Sequence, residues 1–218
     1  MVAKARWISI VGLLITASLA NASAESDIKD AAKAFALALS KGDAVQAKKY
    51  ATSDETTTLM IDTLSPLIAA NQTLRAAALA RFGQAGAAMI AKDSPGQMMD
   101  DWARLTDTAI VKIDGETATI SEKQNDKPNP ASATTRPQES PPLKLKLENH
   151  AWKVDFSAMP DAAALKQSAP LITAMSKAMN DTADEIKIGK FAAAKDAKLA
   201  LDQKQAVIAA QGGRGRGR

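Results

Sequence analysis

Apolar positions along this chain fall into two spacings, one helical and one extended, and the switch between them organises it. Ile28, Ala32, Phe35 and Leu39 form one helical stripe that Ser26 can cap and Gly42 can close. Asp43 opens a second, short helix, with Gln46 as its capping partner and Ala44, Ala47, Tyr50 and Ala51 on the apolar side. Ser53 or Asp54 opens a third helical region carrying Leu59, Ile61, Leu64, Leu67 and Ile68, in which Pro66 is expected to kink or restart the helix. Leu74, Ala78 and Phe82 continue the pattern until Gly83 and Gly86 interrupt it. Met89 and Ile90 fit a short strand or another turn of helix. Ser94-Pro95-Gly96 reads as a turn before a short helix with Met98, Met99, Trp102 and Leu105.

The period then changes to two. Ala109, Val111 and Ile113 alternate with Thr108, Ile110 and Lys112, and Asp114-Gly115 is a hairpin signal. Ala118 and Ile120 alternate with threonines on the return strand. Residues 124–142 hold five of the nine prolines, a composition that predicts a long mobile loop. Leu143, Leu145 and Leu147 alternate with Lys144 and Lys146, Glu148-Asn149-His150 turns the chain, and Trp152, Val154 and Phe156 alternate with Lys153 and Asp155. Four strands with one wet face predict an antiparallel meander. Beyond Pro160 and Asp161, Leu165, Ile172, Met175, Met179 and Ile186 support a long helix bent by Pro170. Ile188-Gly189-Lys190-Phe191 breaks it, and Ala194, Ala197, Leu201 and Ile208 support a second helix, making a C-terminal helical hairpin. The expected fold class is α+β: N-terminal helices packed on a four-stranded antiparallel sheet, then the hairpin.

The start of the chain has a pattern of its own. Lys4 and Arg6 precede an apolar run from Trp7 to Ala20, and Ala22-Ser23-Ala24 supplies small residues for cleavage, the order of an export signal. The run falls short of the roughly 20 residues a membrane-spanning helix needs. The expected organisation is a signal peptide over 1–24, an α+β domain over 25–158, the hairpin over 159–211 and an Arg-Gly tail over 212–218. Periplasmic or extracellular placement follows, with no transmembrane span after cleavage.

Charge and cysteine count narrow the chemistry. Of 28 basic residues, Lys4 and Arg6 lie in the signal and Arg214, Arg216 and Arg218 in the tail, while the acids number 24. The body is therefore nearly neutral and carries no overall basic field for nucleic acid. With no cysteine, thiol catalysis, cysteine-ligated metal and disulfides are excluded, and stability must come from burial. Asn71-Gln72-Thr73 and Asn180-Asp181-Thr182 match a glycosylation acceptor pattern but fall inside helical stretches, so they are read as accidental.

Residues Ala34 to Ala44 around the Lys41-Gly42-Asp43 corner, Thr117-Ala118-Thr119-Ile120, and Leu145 to Asp155 around Trp152-Lys153-Val154-Asp155 together resemble exported nuclear-transport-factor-two-like proteins of the ketosteroid-isomerase superfamily. The likeness covers about residues 26–157. It implies a cystatin-like cone in which a curved sheet is wrapped by helices and a pocket is left at the open end. Asn149-His150-Ala151 departs from the glycine that relatives place before the Trp-Lys strand. The superfamily spans isomerases, dehydratases, cyclases, ligand binders and interaction domains, so the likeness leaves activity open.

Candidate chemistry is sparse. His150, the one histidine, falls in a hairpin turn, and Tyr50, the one tyrosine, lies on an apolar helix side. Adjacent Asp100 and Asp101 point about 100° apart on a helix and do not converge. Asp181, Asp184 and Glu185 lack the loop and ligand count of a calcium site. No catalytic residue, metal or cofactor is expected. Phe35, Tyr50, Trp102 and Trp152 are the candidates to line an apolar ligand pocket, and Arg214, Arg216 and Arg218 the candidates for contact with an anionic surface. The reading is an exported, non-catalytic binding or interaction module of the cell envelope, taking a small apolar ligand or an envelope protein. Its alternatives are a lipophile carrier or pocket enzyme of the isomerase or dehydratase type, and a scaffold that self-associates through the hairpin.

Overall fold

A computed structural model describes residues 7–91, 95–122, 142–158 and 162–214. Its elements are α1 (Trp7–Ser40), α2 (Ala44–Lys49), α3 (Glu55–Ile90), α4 (Pro95–Leu105), β1 (Ile110–Asp114), β2 (Thr117–Ser121), β3 (Leu143–Glu148), β4 (Ala151–Val154), α5 (Ala162–Lys187) and α6 (Ala194–Arg214). The fold is α+β, with helices first, then a four-stranded antiparallel sheet, then a helical hairpin. The proline-rich segment falls largely outside the described residues, as do Lys4, Arg6, Pro160, Asp161, Arg216 and Arg218.

Local chemistry sets the corners. The Asp43 carboxylate accepts from the Gln46 backbone N–H at 2.9 Å and caps α2, and Gly42 takes φ +69° to turn the chain before it. A Cβ on Gly42 would fall 2.7 Å from Ala69 Cβ and 2.8 Å from the Ser65 carbonyl oxygen, so the corner lies directly on α3. Gly96 is a second close approach, where a Cβ would sit 2.8 Å from the Ser40 carbonyl oxygen and 3.3 Å from Ile68 Cγ2.

Several boundaries differ from expectation. α1 runs through Ser26 back to Trp7, because the Ala- and Leu-rich segment before it also favours helix. Pro66 is accommodated inside α3, whose non-helical residue is Gly83, at φ 71° and ψ −172°. Gly86 stays helical, and Met89 and Ile90 extend the helix. Pro95 begins α4 instead of sitting in a turn, as suits a residue without an N–H at a helix start. α6 continues through Gly212 and Gly213 to Arg214, past the expected end of the hairpin.

The sheet follows sequence order, β1-β2-β3-β4. Asp114 pairs with Thr117, so the β1–β2 turn is Gly115-Glu116, one residue later than the Asp-Gly signal. Glu148 pairs with Ala151, and Asn149 and His150 both adopt left-handed φ, 52° and 62°. That is the backbone of a tight primed turn, made here without glycine. Ala118, Ile120, Leu145, Trp152 and Val154 face inward against Ile28, Ala32, Phe35, Leu39, Ile61 and Ile68.

Strand β4 is not a bare edge. The Val154 N–H donates to the Tyr50 carbonyl at 2.8 Å, and the Thr52 N–H donates to the Val154 carbonyl at 2.9 Å. Thr52 Oγ1 donates to Asp54 Oδ2 at 2.6 Å, Asp54 Oδ1 accepts from the Thr57 N–H at 2.9 Å, and Thr57 Oγ1 accepts from the Phe156 N–H at 3.0 Å. One network thus caps α3 and ties the end of the sheet to it. Burial pushes the Asp54 carboxyl up, but the hydrogen bonds from Thr52, Thr57 and Thr56 outweigh it and hold the group below its ordinary range.

A second core lies further along α3, where Leu74, Ala77, Ala78, Ala87 and Ile90 pack with Ala183, Ile186, Phe191, Ala197 and Leu201 of the hairpin. Lys166 Nζ meets Glu55 Oε1 at 2.6 Å near the start of both helices, and Ile186 shares a cluster with Leu74 and Ala78. α5 therefore runs alongside α3 in the same direction, and α6 returns. Across the hairpin, Glu185 accepts from Lys190 at 2.7 Å and from Lys204 at 2.8 Å. These two lysines hold its carboxyl below the usual range.

Two measurements check this architecture. Gly115 shares the positive φ of Gly42 (59° against 69°) but has open space around its missing Cβ. Gly115→Ala is expected to cost about 1 kcal/mol in urea unfolding from the left-handed backbone alone, and Gly42→Ala clearly more from the added clash. Asp54→Ala is expected to cost about 1 kcal/mol at pH 7. A carboxyl with a lowered folded-state pKa stabilises the fold above its unfolded value, about 3.9, and loses that contribution as pH falls through the folded value. The advantage of the native chain over Asp54→Asn should therefore be present at pH 6 and fade below about pH 4.

Candidate apolar binding site

The helical stripes and the alternating strands meet imperfectly at one place. Phe35 and Leu39 come from α1, Met60, Ile61 and Leu64 from α3, Met99 and Trp102 from α4, Leu143 from the start of β3, and Phe156 from just beyond β4. Between them is a cavity of about 160 Å³. Phe35 and Leu39, Ile61 and Leu64, and Met99 and Trp102 stand three or four residues apart, as one helix face requires, with Met60 beside Ile61, and Phe156 extends the inward alternation of Trp152 and Val154. The Phe35 and Phe156 rings lie 5.8 Å apart, tilted by 50°, a favourable edge-toward-face arrangement that fixes one wall.

Among the described residues the wall is apolar: no lining side chain is ionisable or carries an oxygen or nitrogen except the Trp102 indole. The space is partly open to solvent, and its volume is comparable to that of a single benzene-sized apolar group. Trp102 also lines a separate crevice of about 20 Å³, with Leu105, Thr106 and Ile120, that has room for about one water.

Of the four pocket candidates, Phe35 and Trp102 line the cavity. Trp152, 9% exposed, is packed within the main core and does not reach it. Tyr50 is also away from it, with its carbonyl committed to β4 and its ring partly exposed. Their apolar-face positions follow the expected period, but period does not tell a filled face from one left with space. Met99 lies on the expected apolar face of α4, whereas Met60 falls outside the expected stripe of Leu59, Ile61, Leu64, Leu67 and Ile68, so neither is marked by period as bordering space. Their flexible thioethers are the sort of side chain that accommodates an irregular guest.

The other candidates are dispersed. His150 is exposed in the β3–β4 turn. Asp101 accepts from Gln97 Nε2 at 3.1 Å and lies 3.7 Å from Arg104. Asp181 pairs with Lys177 at 2.6 Å, Asp184 with Lys187 at 2.9 Å, and Glu185 with two lysines, so these acids do not converge on a common centre. Among the described residues there is no group of three or more His, Asp or Glu side chains placed to hold a metal ion. Asn71 is buried; Asn180 is exposed on α5, while Thr182 two residues on is buried with its hydroxyl donating to the Ala178 carbonyl. Arg214 ends α6, and Arg216 and Arg218 lie outside the described residues. No described helix is long and apolar enough to cross a membrane.

No protein-family model, curated protein or solved structure matches this chain.

Proposed function

We propose that this chain is an exported, non-catalytic binding module whose site is the cavity between α1, α3, α4 and the sheet, and whose ligand is a small apolar group. The observation that carries the reading is that nine described apolar side chains, from three helices, β3 and the segment after β4, line about 160 Å³ of partly open space without an acid, base or nucleophile among them. Catalysis of the isomerase or dehydratase type requires a proton donor or acceptor at the reacting atom. Size limits the ligand: one aromatic ring or a short branched acyl segment fits, and a fused polycyclic system does not.

Export rests on the cationic start, the short apolar run and Ala22-Ser23-Ala24. Among the side chains described, which start at Ser23, Ser23 and Glu25 are exposed and Ile28 is the first in the core. The nuclear-transport-factor-two-like kinship is part of the same proposal, supported by the helix pair with its Gly42-Asp43 corner and by the ordered meander ending in Trp152-Lys153-Val154. The hairpin folds back on α3 and buries Ile186, Ala197 and Leu201 there, which favours a structural role for it over self-association.

Burying about 150 Å² of a ring at about 25 cal/mol per Å² gives about 4 kcal/mol, a dissociation constant near 1 mM. Calorimetric titration with benzene or toluene is expected to show saturable binding in that range. Leu64→Phe, which fills the cavity, should weaken it at least tenfold while the melting temperature stays within a few degrees. Absence of saturable binding, or binding untouched by Leu64→Phe in a folded variant, would reject the site.

A further inference from the structure

The two edges of the sheet are treated differently. The direction of each backbone group follows from one bond: the Leu147 N–H donates to the Glu116 carbonyl at 2.7 Å, in the register that pairs Thr117 with Lys146. Directly opposed residues joined this way form a hydrogen-bonded pair, and such pairs alternate along the ladder. Glu116, Ala118 and Ile120 therefore address β3, while Thr117, Thr119 and Ser121 address β1. Their partners Asp114, Lys112 and Ile110 point back toward β2, which leaves the N–H and C=O of Val111 and Ile113 facing outward. On β4 the same reasoning turns Val154 outward, and there Tyr50 and Thr52 take both of its groups. Among the described residues nothing takes those of Val111 and Ile113.

The side chains along β1 share this unfinished character. Ile113 is on the inward face of the sheet yet 39% exposed. Lys112 and Asp114 alternate on the outer face, both exposed and neither in an ion pair among the described residues. An edge that the described residues leave unpaired in this way is a template for strand addition.

We propose that β1 pairs antiparallel with β1 of a second copy of this chain, about a two-fold axis at Ile113, joining two four-stranded sheets into one of eight. The choice of a second copy rests on charge and register together. With the axis at Ile113, that residue faces its own counterpart in a hydrogen-bonded pair, since its backbone groups point outward. Lys112 of each copy then lies opposite Asp114 of the other, giving two opposite-charge pairs on the outer face and one apolar pair on the inner. An axis one residue earlier would set Lys112 against Lys112. The contact is small, so the dimer is reversible and populated at high protein concentration.

Sedimentation equilibrium of the full chain at low salt tests the arrangement. The native chain should show a weight-average mass rising reversibly from monomer toward dimer as concentration increases. Lys112→Asp or Asp114→Lys alone turns both opposite-charge pairs into like-charge pairs and should weaken association about tenfold, while the two changes together restore it. Ile113→Lys should abolish association, with circular dichroism reporting an unchanged fold. If Ile113→Lys does not fold, the charge exchange at the two exposed positions still decides. A native chain that stays monomeric throughout, a dimer indifferent to these changes, or a double exchange no better than the single ones would overturn the proposal.

Discussion

Burial of α3 on more than one side is the constraint from which this molecule is built. Its early turns carry Ile61 and Ile68 into the core shared with α1 and the sheet, and its later turns carry Leu74, Ala77 and Ala78 into the core shared with α5 and α6. A helix buried this way needs small residues where neighbours come closest. Ala69 meets the Gly42 corner, and Gly96 brings α4 against Ile68 and the end of α1. The abundance of alanine and the scarcity of aromatics, 4% of the chain, are the compositional trace of this packing.

Close approach at those points explains why space remains elsewhere. Gly42 and Gly96 draw α1, α3 and α4 together around Ser40, Ser65 and Ile68, whereas the sheet meets the same helices through larger side chains. Phe35, Trp102 and Phe156 hold the layers apart as rigid spacers, and the gap between them is bounded by the methionines and leucines of α3, α4 and β3. The cavity is thus a consequence of joining a small-residue helical interface to an aromatic helix–sheet interface. The Asp54 network reinforces its far wall by fixing Phe156 through the Thr57 hydroxyl.

Much of the fold was legible in the residues because helix and strand periods differ and are cleanly separated. The alternation of Leu143, Leu145 and Leu147 with lysines gave β3 its length and its face, Asp43 marked a helix start by its capping chemistry, and Ser53-Asp54 marked another without deciding between the two, Asp54 being the cap. Where a residue suits two roles, the pattern misled: Pro95 serves a turn or a first helical turn, and Ser26 a cap or a helix interior. Asn149-His150 showed a turn but not its left-handed backbone, which glycine normally signals. Period also assigns a face without saying what it meets. Trp152 and Trp102 carry equivalent sequence signals, yet one fills the core and the other borders space, and the alignment of α5 along α3 is decided only by tertiary packing.

The most direct test of the central proposal, that the apolar space lined by α1, α3, α4 and the sheet binds a small apolar group, uses methionine methyl resonances. Met60 and Met99 border the cavity, whereas Met89 and Met98 are 51% and 66% exposed and lie away from it. As benzene is added to the methyl-labelled protein, the Met60 and Met99 signals should move along saturable curves with a common midpoint while those of Met89 and Met98 stay in place. Uniform drift of all four, or no movement at Met60 and Met99, would contradict the account.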